Sequence, residues 1–386
     1  MTAARGTTAT TKGTTTMTAP HSQGSPTDGV LARRGVAYDT GTNFETGQGP
    51  LSRDVWSSTR MLEEISLITD QLNANSVTVY GSDPRRLEIT ATAVAERGLH
   101  VRLQPRLVDR PRTEVLEHLV TAARIAERLR VDGADIDMTV GAVHLLFTPG
   151  LLDEGQYHER MANIYADAQH HLLVPTRTVD VAAAAPRLNA FLDDAQNLVR
   201  GVFGGDVGYA AAPFEDVDWD LFDFVALMYQ YLPAARTAEE HLDLLASYRE
   251  TGLPVDVAEY GTATYRGAED KAFFFWDVVD REGPVPTILD GYTRDEGAQA
   301  DYHLRMLDVF ERAEVRGATI SEFIHPTHPH SDDPALDLDM ASMALVKTIR
   351  DDITKHGSPY RVEPKEAFHA VADHYAHLGF QRRVRR

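Results

Sequence analysis

Two glutamates, Glu259 and Glu322, come directly after short apolar runs, at Val255–Ala258 and Gly317–Ser321. Carboxylates at such positions can serve as acid, base or nucleophile. A pair about 5–5.5 Å apart can divide nucleophile and acid roles in glycoside chemistry, and a wider pair leaves room for a water. Structural roles compete with this interpretation: Glu259 can cap a helix or pair with an arginine, and Glu322 can pair with Arg34 or another base.

The histidines offer a second set of candidates. His144 follows the predicted fourth strand and can act as acid or base near neutral pH, although a histidine beside an apolar run is typical of a core. His325, His328 and His330, followed by Asp332 and Asp333, include enough ligand types for a divalent ion. The interleaved prolines predict an extended loop whose side chains diverge, so we predict no metal site and no cofactor.

Polar and aromatic residues near the ends of predicted strands could bind a substrate, because flat rings with a polar tip suit sugars and other amphipathic ligands. The candidates are Asp39, Tyr80, Gln104, Arg106, Tyr229, Tyr265, Arg266 and His325. Each aromatic can equally be packing at a rim. The run Phe273–Trp276 is interpreted as helix core or as a lid.

These residues are spaced by a regular alternation of strand and helix. Apolar runs predict eight strands, at 34–38, 76–80, 99–104, 136–142, 207–211, 224–228, 254–258 and 317–321. Amphipathic helices are predicted between them, at 57–72, 113–130, 155–169, 181–202, 237–251 and 295–314, with a closing helix at 365–375. Eight such repeats favour an α/β fold, a (β/α)8 TIM barrel, over an open sheet, and no glycine-rich phosphate motif follows the first strand.

The barrel is predicted as a single domain over residues 33–377. Residues 1–32 are rich in Thr, Ala, Gly and Ser and are predicted to be a disordered tail, and residues 378–386 a basic C-terminal tail. No run has the length and apolarity of a membrane span or a secretory signal, which predicts a cytoplasmic protein.

The amino-acid composition restricts the kinds of molecule that the protein is expected to bind. A net charge of −20 argues against nucleic acid and anionic membranes, which need a basic face, and leaves a small-molecule or carbohydrate substrate. The chain has no Cys, which removes disulfides and thiol nucleophiles. The oligomeric state is left open.

Several stretches together resemble the clan A (β/α)8 glycoside hydrolases, and most closely an actinobacterial set of glycosidase-like proteins. They are Arg34–Asn43, Leu103–Leu107, Glu215–Trp219, Ala258–Gly261, Thr264–Asp270 and Asp337–Ser342. The resemblance spans nearly all of residues 33–377. It implies that Glu259 occupies the position of the nucleophile, at the tip of strand seven.

The same resemblance implies a second Glu, the acid/base, at the tip of strand four. The matching positions here are Ala142 and Val143, and neither can donate a proton. Three explanations stay open. In the first, the alignment is shifted, so that His144 or Asp153-Glu154 takes the role. In the second, Glu322 is a relocated acid. In the third, the barrel has been recruited to other chemistry.

We favour recruitment: a pseudo-glycosidase that performs a tailoring step of specialised metabolism, such as antibiotic biosynthesis, on a small polar or glycosylated molecule. Glu259 would act as base, nucleophile or charge stabiliser, with Glu322 and His144 as acid/base partners. Tyr229 and Arg106 would position the substrate. The alternatives are a genuine retaining glycoside hydrolase with a displaced acid, and a non-catalytic carbohydrate- or metabolite-binding barrel.

Overall fold

The computed structural model describes residues 31–44, 51–53, 55–165, 179–232, 236–355 and 357–384. The predicted N-terminal tail therefore lies outside the described residues except for its last two. Of these, Leu31 is buried, and the backbone N–H of Ala32 donates to Arg316 O at 2.9 Å, so both residues are part of the folded barrel.

Eight parallel strands close into a barrel, which confirms the predicted fold. In spatial order each strand pairs with the next in sequence, and the first pairs with the last. The strands are β1 Arg33–Asp39, β2 Ser76–Gly81, β3 His100–Pro105, β4 Ile136–Ala142, β5 Val207–Ala211, β6 Phe224–Met228, β7 Val255–Tyr260 and β8 Gly317–Ile320.

Helices connect the strands and cover the outside of the barrel. They are α1 Ser58–Asp70, α2 Pro84–Ala95, α3 Arg112–Val131, α4 His144–Phe147, α5 Tyr157–Ile164, α6 Ala185–Arg200, α7 Ala238–Arg249, α8 Glu296–Arg312 and α9 Glu366–Val384. Local sequence explains several starts: the Asp83 side chain caps α2 ahead of Pro84, and Thr237 and Glu240 form a capping box on α7. No helix among these residues combines the length and apolarity needed to cross a membrane.

Some elements differ from the sequence-based expectation. The helix predicted at 155–169 is observed as α5, and its last residues lie outside the described part of the chain. The closing helix α9 runs on to Val384, through most of the residues assigned to the basic tail. Two short antiparallel hairpins, Val279–Asp280 with Thr287–Ile288 and Val346–Arg350 with Tyr360–Pro364, were not predicted.

The two faces of each barrel strand carry different chemistry. In β6, Val225 and Leu227 pack outward against the helices, whereas Phe224, Ala226 and Met228 face the interior, as the period of two requires. At the amino-terminal end of the barrel the interior is charged. There a group that we call the basal charge cluster forms buried ion pairs; its members are Arg33, Arg102, Asp137, Asp256 and Arg316.

At the carboxyl ends of β4 to β6 the interior is closed by aromatic side chains. Tyr231 and Phe273 lie 4.3 Å apart between ring centroids, and Phe273 and Trp276 lie 4.4 Å apart. We call this group the aromatic plug: Tyr165, Phe214, Tyr231, Phe273, Phe274 and Trp276. It is continuous with the inward-facing Ala142, Ala210 and Ala258. The lid interpretation of Phe273–Trp276 agrees with this packing, although the segment Ala268–Val278 is a 3-10 helix.

Candidate active site

A β-bulge turns Glu259 into the barrel. Val257 pairs with Leu227 of β6, whereas Glu259 pairs with the next residue, Met228, so Ala258 is one extra residue in β7. Strict alternation would give Glu259 the outward direction of Val257; the extra residue reverses it, and Ala258 and Glu259 both face inward. Glu259 is 1% exposed and accepts a hydrogen bond from Ser321 Oγ at 3.3 Å.

Arg106 connects the polar residues at this end of the barrel. Its guanidinium forms a buried ion pair with Glu259 and donates from Nε to Gln104 Oε1 at 2.8 Å. The same group lies 3.7 Å from the centroid of the Tyr80 ring, a cation–π contact. The backbone holds Arg106 in this place, because its N–H donates to Gly81 O at 2.9 Å. Of the predicted binding residues, Arg106 therefore contacts Glu259 directly and links Gln104 and Tyr80 to it.

Glu322 lies on the other side of Tyr80. The Tyr80 hydroxyl donates to Glu322 Oε2 at 2.6 Å, and His325 Nδ1 lies 3.2 Å from Glu322 Oε1. The two glutamates are thus joined through Tyr80 and Arg106 rather than by a shared hydrogen bond. The sequence prediction that the tips of strands seven and eight converge agrees with this arrangement.

Burial decides the charge state of this half of the site. Burial, and after it the negative charge of Asp39, raises the pKa of Glu322 to about 8, against the lowering effect of the Tyr80 hydrogen bond and of Arg106. Desolvation of the partly buried His325 ring, together with the positive charges of Lys365 and Arg281, lowers its pKa below the usual value. At neutral pH the pair is therefore a carboxylic acid facing a neutral imidazole, and the Glu322 proton can be donated.

Asp39 ends β1 beside this pair and is held by its own loop. Its carboxylate accepts hydrogen bonds from Gly41 N at 2.8 Å and Thr42 Oγ1 at 3.2 Å, and also from Ser52. Burial raises its pKa, and these bonds oppose the rise. Asp39 contributes negative charge to the site while it shapes the loop after β1.

The tip of strand four carries no ionisable group. Gly141 has a φ of +81°, and after it Ala142 and Val143 both enter the interior apolar cluster. Val143 is fully buried beside Phe147 and the aromatic plug. The place where the resemblance expects an acid/base is therefore a packed apolar surface.

His144 does not reach the glutamates. Its ring lies outside the barrel wall, stacked on Tyr209 at 5.5 Å between centroids and edge-on to Phe191 of α6. Both nitrogens are engaged, Nδ1 with Thr148 Oγ1 at 2.9 Å and Nε2 with Val140 O at 2.7 Å. Burial lowers its pKa to about 4. Its role is the one typical of a core histidine, because the residue after the strand tip turns outward into α4.

The other proposed substitutes for the strand-four acid are also placed elsewhere. Glu154 is exposed, and Asp153 accepts from Gly155 N at 2.8 Å in the turn before α5. Glu215, which was not one of these substitutes, lies beside Tyr209, whose hydroxyl donates to it at 2.9 Å, while Leu145 N donates at 3.0 Å. Glu215 therefore anchors α4 to the end of β5.

Three of the predicted substrate-binding residues lie away from this site. Tyr229 turns outward, bonding His241 Nδ1 at 2.7 Å and packing on Phe310 of α8. Tyr265 is buried and donates to Phe275 O at 3.0 Å. Arg266 is 78% exposed and pairs with Asp295. Their direction depends on strand parity and loop path, which the residue type does not reveal.

The histidine loop divides into two parts. His325 and His328 lie 4.1 Å apart between ring centroids beside Glu322, whereas His330 Nδ1 lies 2.9 Å from Asp337. Among the described residues, His330, Asp337 and Asp339 bring possible metal ligands together. The cations Arg294 and Lys365 already pair with these two aspartates at 2.9 Å. The negative charge that would attract a metal ion is therefore already neutralised.

Two residues at the site were not singled out from the sequence. Ser321 immediately precedes Glu322 and donates to Glu259. His328 packs against His325 and was considered only as a metal ligand. Ser321 could have been identified from the sequence by its position at the end of the predicted eighth strand.

The fold and the location of the polar cluster define a class: a (β/α)8 barrel with ionisable groups at the carboxyl ends of its strands, where barrel enzymes hold their active sites. Solved structures similar to the chain are glycoside hydrolases. A GH113 β-1,4-mannanase superposes with a TM-score of 0.53 at 14% identity, covering 90% of this chain and 99% of its own. The family 1 β-glucosidase from Thermotoga maritima gives 0.53 at 12% identity, covering 91% and 98%.

A third similar structure is the Bacteroides uniformis β-glucuronidase, with a TM-score of 0.51 at 13% identity over 89% of this chain and 35% of its own. At such identities the likeness shows the barrel fold. No protein-family model matches the sequence. No curated protein matches it either.

Proposed function

We propose that the protein is a repurposed glycosidase-like barrel enzyme that performs acid–base chemistry on a small polar or glycosylated metabolite. The observation that carries the proposal is the buried Glu322, which accepts a hydrogen bond from Tyr80 at the tip of β8, opposite an apolar tip of β4. Burial raises the pKa of this carboxyl group, which agrees with a role as an acid. The actinobacterial grouping, the cytoplasmic location and the place in specialised metabolism stay predictions of the sequence.

The exposure of the site supports a small substrate. Tyr80, Arg106 and Glu259 are at most 4% exposed, whereas the His325 side chain is 27% exposed and lies nearest to solvent. The aromatic plug fills the half of the mouth over β4 to β6. A long sugar chain needs an open groove; a compact molecule needs a pocket lined on one side by donors and acceptors.

In this proposal Glu322 donates its proton to an oxygen or nitrogen of the substrate on which negative charge develops. The neutral His325, whose Nδ1 lies 3.2 Å from the same carboxyl group, orients it, and solvent replaces the proton between turnovers. The Glu259 carboxylate and the Arg106 guanidinium, fixed by Gln104 and Ser321, orient polar groups of the substrate and stabilise charge.

A genuine retaining glycoside hydrolase is the second candidate, and the inward direction of Glu259 favours it. In that reaction Glu259 is the nucleophile and Glu322 the displaced acid. The ion pair with Arg106 weighs against it, because a carboxylate bound to a guanidinium in a buried site is a weaker nucleophile than a free one.

Conversion of metabolites by matched variants tests the proposed function. Wild type, Glu259→Gln, Glu322→Gln and Glu117→Gln are each incubated with a metabolite extract and followed by untargeted mass spectrometry. Glu117 lies exposed on α3 and serves as the control. We expect wild type and Glu117→Gln to consume the same small compound and the other two variants to leave it unchanged. Equal consumption by all four contradicts the proposal.

Leaving-group dependence separates the two candidates. General acid catalysis is worth about 10²–10⁴-fold, and an activated leaving group does not need it. For the repurposed enzyme, we expect any glycoside cleavage to be confined to activated substrates, so that dinitrophenyl β-mannosides, β-glucosides or β-glucuronides react at least about 100-fold faster than the corresponding disaccharides. Steady-state kinetics measure the ratio. Comparable turnover of both substrate types favours the glycoside hydrolase and removes the argument from the missing acid.

A further inference from the structure

Tyr80 is placed in the candidate active site by the register of the barrel strands. It pairs with Asp39 of β1 on one side and with Gln104 of β3 on the other, so the three side chains share one layer on the inward face of the barrel. Its backbone is fixed as well, because Thr40 N and Thr40 Oγ1 both donate to Tyr80 O, at 2.8 and 2.9 Å. The position of the Tyr80 ring is therefore set by the sheet.

Both the hydroxyl and the ring of Tyr80 are engaged within the protein. The hydroxyl donates to Glu322 Oε2 at 2.6 Å, and the ring centroid lies 3.7 Å from the guanidinium carbon of Arg106. The residue is 4% exposed. A side chain engaged in this way acts on a substrate through its two neighbours, which differs from the direct substrate contact expected from the sequence.

The hydrogen bond from Tyr80 fixes the orientation of the Glu322 carboxyl group. A protonated carboxyl group has one hydroxyl oxygen and one carbonyl oxygen, and the oxygen that accepts from Tyr80 takes the carbonyl role. The acidic proton is then carried by Oε1, the oxygen that lies 3.2 Å from His325 Nδ1. Because the His325 side chain is the partly exposed one, this arrangement directs the proton toward the accessible side of the site.

Tyr80 stays a hydrogen-bond donor over the pH range in which Glu322 titrates. Burial raises the pKa of Tyr80 well above its usual value, and the negative charges of Glu322 and Asp39 act in the same direction. The groups that act on Glu322 from the neighbouring elements include Asp39, Arg53, Arg106 and His325. Among them Tyr80 contributes a directed hydrogen bond from a neutral group.

We propose that Tyr80 is a positioning residue of this site: its hydroxyl directs the proton of Glu322 toward the substrate, and its ring holds the Arg106 guanidinium against Glu259. The inference rests on the function proposed above, in which Glu322 is the acid. Because one side chain contacts both parts of the site, the direction of the acid and the position of the charged pair depend on the same residue.

Two substitutions separate the two contacts of Tyr80. Tyr80→Phe removes the hydroxyl and keeps the ring, and we expect kcat for the converted compound to fall by about 10- to 100-fold with little change in KM, because a misplaced reacting group costs up to about 10²-fold. Tyr80→Leu also removes the ring beneath Arg106, so KM should rise as well. Steady-state kinetics measure both constants. An unchanged kcat in Tyr80→Phe, or an unchanged KM in Tyr80→Leu, overturns the proposal.

Titration of the Glu322 carboxyl group, followed by its carbon-13 signal without a substrate, shows whether Tyr80 acts through it. Burial raises the pKa of Glu322, and the hydrogen bond from Tyr80 opposes the rise because it stabilises the carboxylate. Tyr80→Phe should therefore raise the midpoint by at least about half a pH unit. The matched control is Tyr375→Phe, which removes another buried hydroxyl, one that donates to Gly35 O at 3.0 Å, and should leave the midpoint unchanged.

The outcomes of this titration separate the role of Tyr80 from the proposed function. A wild-type midpoint near 8 that rises in Tyr80→Phe alone supports both. If Tyr80→Phe leaves such a midpoint unchanged, or if Tyr375→Phe raises it equally, the role of Tyr80 is overturned while Glu322 keeps its role as the acid. A wild-type midpoint near the ordinary value of about 4.3 contradicts the proposed function and this inference with it.

Discussion

We expect Glu322→Gln to lower kcat/KM for the converted compound by about 10²–10⁴-fold, the usual worth of a general acid. Glutamine preserves the shape and can still accept the hydrogen bond from Tyr80 but cannot transfer a proton. Steady-state kinetics on the purified variant measure the loss, with Glu117→Gln as the control. A loss of less than tenfold contradicts the role of Glu322.

The pH profile makes this prediction more specific. The reactive form of Glu322 is the carboxylic acid, and its pKa is about 8. The protonated fraction is therefore near one at neutral pH and falls as the pH rises through that value, so kcat/KM of the wild type should fall over the same range. The residual activity of Glu322→Gln should lack this descending limb. A limb that persists in the variant belongs to another group.

The second large effect concerns stability. Arg102 donates to Asp137 Oδ1 at 2.8 Å and to Asp256 Oδ2 at 2.6 Å, all three side chains being buried in the basal charge cluster. Arg102→Met leaves two buried carboxylates with the partly exposed Arg33 and Arg316 as cationic partners, and with His100 Nε2 3.4 Å from Asp137. Breaking a buried ion pair on one side costs about 3–5 kcal/mol, and we expect a loss of that size in the free energy of unfolding.

Denaturant unfolding followed by circular dichroism and tryptophan fluorescence measures this loss. The matched control is Arg128→Met, whose ion pair with Glu88 is exposed and should contribute less than about 1 kcal/mol. Equal stability of the two variants would contradict a stabilising role for the cluster. The lowered pKa of Asp256 supports that role. Burial alone would raise this pKa, yet Arg316 and Arg102 hold it below its usual range.

The sequence predicted the barrel because eight apolar runs alternating with amphipathic segments leave few other arrangements. It also indicated Glu259, Glu322, Tyr80, Gln104 and Arg106, which meet at the mouth. Residue type and proximity to a strand end selected these positions as candidates, but did not determine the direction of their side chains.

The direction of a side chain at a strand end was less accessible to sequence reasoning. Glu259 faces inward only because of the extra residue Ala258, and a bulge has no sequence signature strong enough to predict it here. Tyr229 and His144 follow strand ends in the same way but turn outward, toward α8 and α6. A shift of one residue in register decides whether a side chain faces the mouth of the barrel or the outer layer of helices.

The aromatic plug illustrates a second limit of prediction from the sequence, which concerns contacts between distant loops. Phe273–Trp276 was interpreted as core or lid, but its partners Tyr165 and Tyr231 lie in other loops, more than 40 residues away in the chain. Contacts between distant loops depend on the tertiary fold, and apolar periodicity within one segment carries no information about them.

Direct titration of Glu322 tests the central claim, because only a protonated carboxyl group can act as the acid. Carbon-13 NMR of protein labelled at the glutamate carboxyl carbons, with the Glu322 signal identified by its loss in Glu322→Gln, gives the pKa without a substrate. We predict a midpoint near 8. A midpoint at the ordinary glutamate value of about 4.3 would mean an ionised carboxylate at neutral pH and would contradict the proposed role.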